Sequence, residues 1–257
     1  MKAQLTVLGS GTSMGVPTIG CDCAVCISSD PRDRRTRPSV LIEYNGKAVL
    51  IDTTPDFREQ AIREKIRRLD AVLYTHTHAD HILGIDDLRP LTYQLRPNKL
   101  PLYARPEAAE FIRNMFRYIF EGDYKFGGLP QVELKTINGP LPLFGATFEP
   151  IPVIHGETEI YGFRAGSAAY LTDHSEVPEA SMAKLQGLDI LFLDALRYKP
   201  HPTHSTVDNS LRIVERLQPK RAFFTHICHD LPHAATNASL PPHVQLSYDG
   251  MKLEFEI

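Results

Sequence analysis

Short apolar runs alternate with amphipathic stretches from one end of the chain to the other. Leu5–Leu8, Val40–Tyr44, Ala48–Asp52 and Ala71–Thr75 are rich in Val, Ile, Leu and Tyr and read as strands. Asn45-Gly46, between the second and third, is a two-residue hairpin turn. Between Asp56 and Leu69, apolar Phe57, Ala61, Ile62, Ile66 and Leu69 recur at helical spacing among Arg, Glu and Lys, which predicts a surface helix. A second helix starts at Pro106-Glu107, and its Phe111, Ile112, Met115, Phe116, Ile119 and Phe120 form an apolar stripe expected in the core.

Past Gly127-Gly128, strands are expected at Val132–Ile137, Ala146–Ile154, Tyr161–Ala165 and Ala168–Thr172, then at Ile190–Leu193, Arg221–Thr225 and Lys252–Ile257. Helices at Glu179–Gln186 and Thr206–Leu217 separate the later ones. Blocks of strands with helices in both halves, and no linker or short repeat, predict two packed sheets with helices outside. That is a four-layer αββα sandwich of the mixed α/β (α+β) class, in one domain spanning residues 1–257.

Composition narrows the function classes. With 42% hydrophobic and 23% charged residues over 257 positions, disorder, collagen and coiled coil are excluded. A net charge of −3 gives no global basic field for holding a nucleic-acid polymer. Runs such as Ile190–Leu193 and Ala222–Phe224 are too short to span a bilayer, and the N-terminus has no leader pattern, so a cytoplasmic protein without membrane contact is expected. What departs from the ordinary is the placement of 11 His and 4 Cys.

Thr75-His76-Thr77-His78-Ala79-Asp80-His81 offers four ligands in six residues directly after an expected strand. Imidazole with carboxylate suits Zn, Mn or Fe, and this many ligands exceeds the needs of one tetrahedral ion. A binuclear centre about 3.5–4 Å across uses them. His155, Asp173 and His226 each follow a later strand, which argues against an accidental His-rich loop. Asp52 is placed to orient a ligand imidazole from behind. Cys21, Cys23 and Cys26 form a second cluster with zinc spacing, completed by Cys228 or by His229.

The H-x-H-x-D-H cluster with His155, Asp173 and His226 resembles the metallo-β-lactamase superfamily. The C-x-C-x-x-C loop, His226-Ile227-Cys228-His229, Gly9-Ser10-Gly11-Thr12, Gly15-Val16-Pro17, Leu50-Ile51-Asp52, His204 and Asp249-Gly250-Met251 extend the likeness, over nearly the whole chain, to its PhnP-type cyclic phosphodiesterases. The resemblance implies that His76, His78 and His155 hold one divalent metal (Mn or Zn) and Asp80, His81 and His226 the other. Asp173 would bridge them, and a hydroxide between the metals would be the nucleophile. It implies His229 as the fourth ligand of a structural Zn with Cys21, Cys23 and Cys26. His204 would approach the leaving group as general acid or oxyanion stabiliser, and it is taken with Asp80 as a catalytic group. No Cys lies near Asp173, which disfavours β-lactam hydrolysis.

The expected function is therefore hydrolysis of small or cyclic phosphodiesters, such as phosphoribosyl cyclic phosphate or 2′,3′-cyclic nucleotides. The partner is a small phosphodiester, in a monomer or a homodimer. Two alternatives stand beside it: an accessory protein like PqqB, which carries the same Cys loop, and a tRNA 3′-processing nuclease, whose basic arm has no counterpart here. Three weaker signals remain. Gly9-x-Gly11 with Gly15 misses the dinucleotide fingerprint and reads as a tight turn. Arg32, Arg34, Arg35 and Arg37 form either a phosphate-attracting patch or a solvated loop, and His174 and His201 either tune substrate fit or face solvent.

Overall fold

The computed structural model describes residues 1–95, 97–121 and 128–257, without the side chain of Gln94. Gly127 of the expected Gly127-Gly128 turn lies outside the described residues. The first sheet holds β1 (Lys2–Gly9), β2 (Ser39–Tyr44), β3 (Lys47–Ile51), β4 (Ala71–Leu73), β5 (Leu100–Ala104) and β6 (Val132–Thr136). The second holds β7 (Leu141–Leu143), β8 (Ala146–His155), β9 (Thr158–Ala165), β10 (Ala168–Leu171), β11 (Ile190–Asp194), β12 (Arg221–Thr225) and β13 (Val244–Leu246). The last strand, β14 (Lys252–Glu256), returns to pair antiparallel with β1. The strand orders are β14-β1-β2-β3-β4-β5-β6 and β13-β12-β11-β10-β9-β8-β7.

Helices cover the outer faces: α1 (Phe57–Arg63), α2 (Ala79–Ile82), α3 (Arg89–Thr92), α4 (Pro106–Met115) and α5 (Arg117–Phe120) on the first sheet. On the second lie α6 (Glu179–Lys184), α7 (Val207–Leu217) and α8 (His233–Ser239). The two-residue period of a strand builds the layers. Val7, Ile42 and Leu73 point between the sheets at Phe148, Tyr170 and Phe192. Their neighbours Leu8, Leu41 and Val72 point outward at Phe57, Ile85 and Ile112. Leu171, Leu193 and Phe224 do the same on the other side against Met182, Leu185 and Val214. The result is the αββα sandwich. Among the described residues no helix is long and apolar enough to cross a membrane.

Local chemistry explains where the elements depart from expectation. The helix expected to reach Leu69 stops at Arg63, because Lys65 takes the left-handed conformation (φ 56°) and turns the chain. Ile62 is then 62% exposed, while Phe57 and Leu69 stay buried. The second helix breaks at Phe116 (φ −108°, ψ 39°). Its buried stripe is Ala108, Ala109, Ile112 and Phe116, so Phe111 and Met115, expected in the core, lie off that stripe and are about half exposed (49% and 47%). β5, β7 and β13 were not anticipated. In β5, Pro101 argues against a central strand, yet the ladder to β4 pairs only Val72 with Leu102 and Leu73 with Tyr103, beyond the proline.

One partly buried carboxylate ties the ends of this architecture together. Asp249 accepts from the backbone N–H and hydroxyl of Ser10 (2.9 and 2.8 Å) and of Thr36 (2.9 and 2.6 Å), and from Arg63 at 3.3 Å. It fastens the end of β1, the segment leading into β2, and α1 to the approach to β14. Asp249→Ala strands those donors, and a loss of about 2–4 kcal/mol is expected. Urea unfolding checks it: the midpoint falls while the slope m is retained.

Candidate metal centre

Most of the site's groups stand at the C-terminal end of a strand or just beyond one, while Asp80 and His81 lie on α2 and His204 in the loop before α7. His76 and His78 follow β4, His155 ends β8, Asp173 follows β10, Asp194 ends β11 and His226 follows β12. Asp52, Asp173 and His226 hold positive φ (65°, 57° and 56°). Side chains of L-residues reach that region at a cost of roughly 1–2 kcal/mol, and here it swings each group out of the strand into the cleft. Gly84 closes in behind: a Cβ there would meet the Thr54 carbonyl oxygen at 2.0 Å.

The ring tautomers follow from the partners. Asp52 is fully buried and accepts from the N–H and hydroxyl of Thr75 (both 2.8 Å) and from His81 Nδ1 at 2.7 Å. The Thr75 hydroxyl, already donating to Asp52, can only accept from His76 Nδ1 at 3.0 Å. His155 Nδ1 donates to the Thr203 carbonyl at 2.7 Å. Nδ1 of these three histidines is therefore committed to a protein acceptor, and Nε2 is the ring nitrogen turned to the cleft. The oriented imidazole expected of Asp52 is His81.

Two donor sets converge on this cleft. Ligand atoms of His76, His78 and His155 lie within 4.8 Å of one another, as do those of Asp80, His81, Asp173 and His226. His81 Nε2 stands 3.2 Å from Asp80 Oδ2 and 3.3 Å from Asp173 Oδ2, and His226 Nε2 stands 3.1 Å from Asp173 Oδ1. His155 Nε2 faces His78 Nδ1 at 3.3 Å. Asp173 also groups with His155 and His204, so its carboxylate reaches toward both sets.

The buried atoms His76 Nε2, Asp80 Oδ2, His81 Nε2 and His226 Nε2 have no hydrogen-bond partner. Buried polar atoms of this kind call for a cation, and the mixed imidazole and carboxylate donors suit a divalent one. Electrostatics agree. Burial drives Asp80 and Asp173 upward, but His81 and His226 more than offset it and hold both carboxyls well below their usual range. Burial pulls His226 down, and Asp173 and Asp80 raise it to about 10. His155 is pushed down to about 4, chiefly by burial.

The cysteine loop folds against the same rim. Cys21, Cys23 and Cys26 Sγ lie 3.3, 3.6 and 3.4 Å from His229 Nδ1. Bonds of about 2.3 Å to sulfur and 2.0–2.1 Å to nitrogen give a tetrahedral edge near 3.5 Å, so these spacings fit zinc. Cys228 is turned away, with its sulfur accepting from the Asp230 N–H at 3.3 Å. Of the two alternatives, the structure brings His229 to the sulfurs. Burial pushes the Cys26 thiol up to about 11.

Not every sequence signal belongs to the site. The arginine run divides between solvent and interior, with Arg32 and Arg34 exposed and Arg35 buried. Arg32 pairs with Asp30, Arg37 with Asp56, and buried Arg35 pairs with Asp33 and donates to the Cys228 and Leu231 carbonyls. His174 is fully buried beside Asp173, so it does not face solvent. His201 is half-buried and lines a cavity of about 270 Å³ with His204. One functional group was missed: Asp194, fully buried, accepts from His204 Nδ1 at 2.6 Å. An acidic residue at the end of the apolar run of β11 repeats the strand-end pattern of the other groups.

Comparison with known proteins fits this geometry. Residues 47–227 match a family model described as a beta-lactamase superfamily domain. The chain belongs to the metallo-β-lactamase superfamily. A crystal structure of a new diphosphatase from the PhnP family is 62% identical, with a TM-score of 0.94, over 99% of this chain and 98% of that one, which places the chain in the PhnP family. Zinc-bound PqqB from Methylobacterium extorquens shares the fold at 19% identity and a TM-score of 0.75, covering 97% and 99% of the two chains. A Porphyromonas gingivalis protein named octanoyltransferase is 38% identical over 251 residues, 96% of this chain and 50% of that protein. The chain spans about half the length of the curated relatives it matches. The fold is that of this superfamily, and the candidate metal ligands gather in one cleft. Asp52→Asn, which cannot accept from every donor around it, is expected to weaken divalent-metal retention about 10- to 100-fold, read by chelator competition.

Proposed function

We propose that the chain, acting as one domain, is a binuclear metal-dependent phosphodiesterase of small or cyclic phosphodiesters. In this reading His76, His78 and His155 hold one divalent cation, Asp80, His81 and His226 the other, and Asp173 serves both. Cys21, Cys23, Cys26 and His229 hold a structural zinc. The observation that carries the reading is the pair of donor sets meeting at Asp173 on the wall of a cavity of about 460 Å³ that also contains His204. Cations bound there would activate water and neutralise charge on the phosphoryl oxygens.

The chain's own residues supply the rest. Burial pushes Asp194 up and His204 down to about 4, and His204 Nδ1 donates to Asp194 along a 2.6 Å contact. With Nδ1 bonded to Asp194, His204 Nε2 is the atom that takes up a proton in the cavity and returns it to the leaving oxygen. Asp194 stabilises the imidazolium formed between those events. The His204 ring stacks on His226 at 4.4 Å and 13°, which holds Nε2 beside the second donor set. Asp80 contributes its carboxylate as a donor there.

Protein loaded with Mn or Zn is expected to hydrolyse bis(p-nitrophenyl) phosphate and 2′,3′-cyclic nucleotides and to retain about three metals per chain. His204→Ala is expected to lower kcat about 10²- to 10⁴-fold with little change in KM. No turnover by the metal-replete protein, with His76→Ala behaving alike, would reject the reading. The diphosphatase at 62% identity supports a second one, cleavage of a phosphoanhydride by the same groups. A nucleoside diphosphate sugar hydrolysed faster than any phosphodiester would favour it. Retention of a single zinc would favour a PqqB-like accessory role, and cleavage of precursor tRNA a processing nuclease.

A further inference from the structure

The cavity of about 270 Å³ that carries His201 adjoins the one that holds the donor sets, and His204 lines both. The His201 ring lies 5.0 Å from that of His204, which in turn stacks on His226 at 4.4 Å. The smaller cavity thus begins one ring away from the second donor set. His204 returns its proton to the leaving oxygen in the reading above, so the group attached to that oxygen has this space beside it.

Its wall is rich in groups that can only donate. The Thr203 N–H reaches His201 Nδ1 at 3.3 Å, so Nδ1 is the acceptor and the neutral ring carries its proton on Nε2. Burial, with His204 and Arg197 nearby, holds His201 below the usual histidine range and so keeps it neutral. Among the described residues no protein group accepts from its Nε2. Asn209 Oδ1 accepts from Arg212 Nη1 at 3.2 Å, which leaves the Asn209 amide N–H groups and the rest of the guanidinium to the cavity. Arg212 forms no ion pair among the described residues. Asp208 is the one carboxylate on this wall. Phosphate oxygens, which accept and do not donate, match a neutral imidazole N–H, an amide and a guanidinium.

Resting on the phosphoester reading above, we propose that this cavity receives the part of the substrate attached to the leaving oxygen and selects one that carries a second phosphate. His201 Nε2 and the Asn209 amide donate to that phosphate, and Arg212 supplies the charge. Asp208 opposes it, so the preference is moderate. His201, Asn209 and Arg212 are thus specificity-determining residues, distinct from the groups that hold the metals or move the proton. This gives His201, one of the two histidines left open by the sequence, the role of tuning substrate fit.

The test compares two substrates with the same scissile bond, adenosine 2′,3′-cyclic phosphate and its 5′-phosphorylated counterpart, on metal-replete protein. The wild type is expected to favour the phosphorylated substrate in kcat/KM by about tenfold, chiefly through KM, with the preference shrinking as salt is raised. His201→Phe keeps a ring against His204 but removes the donor, and is expected to narrow the ratio about three- to tenfold. His201→Gln, whose amide can accept from Thr203 and still donate, is expected to retain most of it. Arg212→Gln is expected to narrow the ratio about threefold and Asp208→Asn to widen it by about as much. Equal or better turnover of the unphosphorylated substrate overturns this proposal and leaves the reaction standing, as does a ratio that none of His201→Phe, Arg212→Gln and Asp208→Asn moves. Absence of turnover on every phosphoester overturns the reaction and this proposal together.

Discussion

Four carboxylates, Asp52, Asp80, Asp173 and Asp194, lie buried within one cleft, and the rest of the site is organised by the need to compensate them. An isolated carboxylate taken out of water costs several kcal/mol even after relaxation, so none of the four stands alone. Asp52 has Thr75 and His81, Asp194 has His204, and Asp80 and Asp173 share His81 and His226. This explains why imidazoles crowd the cleft: a ring can donate to a carboxylate from one nitrogen while turning the other inward. His81 does both, bonded to Asp52 at Nδ1 and facing Asp80 and Asp173 with Nε2.

Delivering those groups sets a requirement on the backbone. A strand points its side chains to the two faces of its sheet, and both faces here are filled with apolar side chains. A polar group reaches the cleft only where the strand has ended and the chain turns. Asp52, Asp173 and His226 make that turn in the left-handed region, and neighbouring hydrogen bonds hold them there. The N–H of Asp52 donates to the Leu73 carbonyl, and Ser39 donates to the carbonyls of Ile51 and Asp52. The strain is thus spread over the rims of the sheets, which their packed cores keep rigid.

This separation of roles is why so much was legible in the sequence. Strands such as Arg221–Thr225 announce themselves by composition, and the groups in the cleft by being His or Asp directly after an apolar run. The same rule contains Asp194, but a single acid after Ile190–Leu193 reads as an ordinary strand end until His204 is seen against it. Helix faces were read less well. Phe111 and Met115 share the apolar character of Ile112 and Phe116, and only the break at Phe116 and the position of the sheet decide which of them is covered. The partners of the arginine run were invisible too, because Arg35 meets the Cys228 and Leu231 carbonyls across nearly two hundred residues.

That distant contact also explains how the cysteine loop bears on the cleft. His226 and His229 are separated by Ile227 and Cys228 alone, so the backbone that aims His226 is the backbone that presents His229 to the sulfurs. Ile227 is gripped on both sides, its N–H donating to the Ser10 carbonyl and its carbonyl accepting from the Thr12 N–H. Arg35 fixes the next carbonyl, Cys228, and Asp33 pairs with Arg35 while accepting from the His233 N–H at 2.8 Å. A guanidinium buried this deeply is tolerable only because carbonyls and a carboxylate take its donors, and taking them pins three chain segments at once. The left-handed turn at His226 is therefore braced from the side opposite the cleft, where a free loop end would let it relax into a commoner conformation and withdraw the imidazole from Asp173.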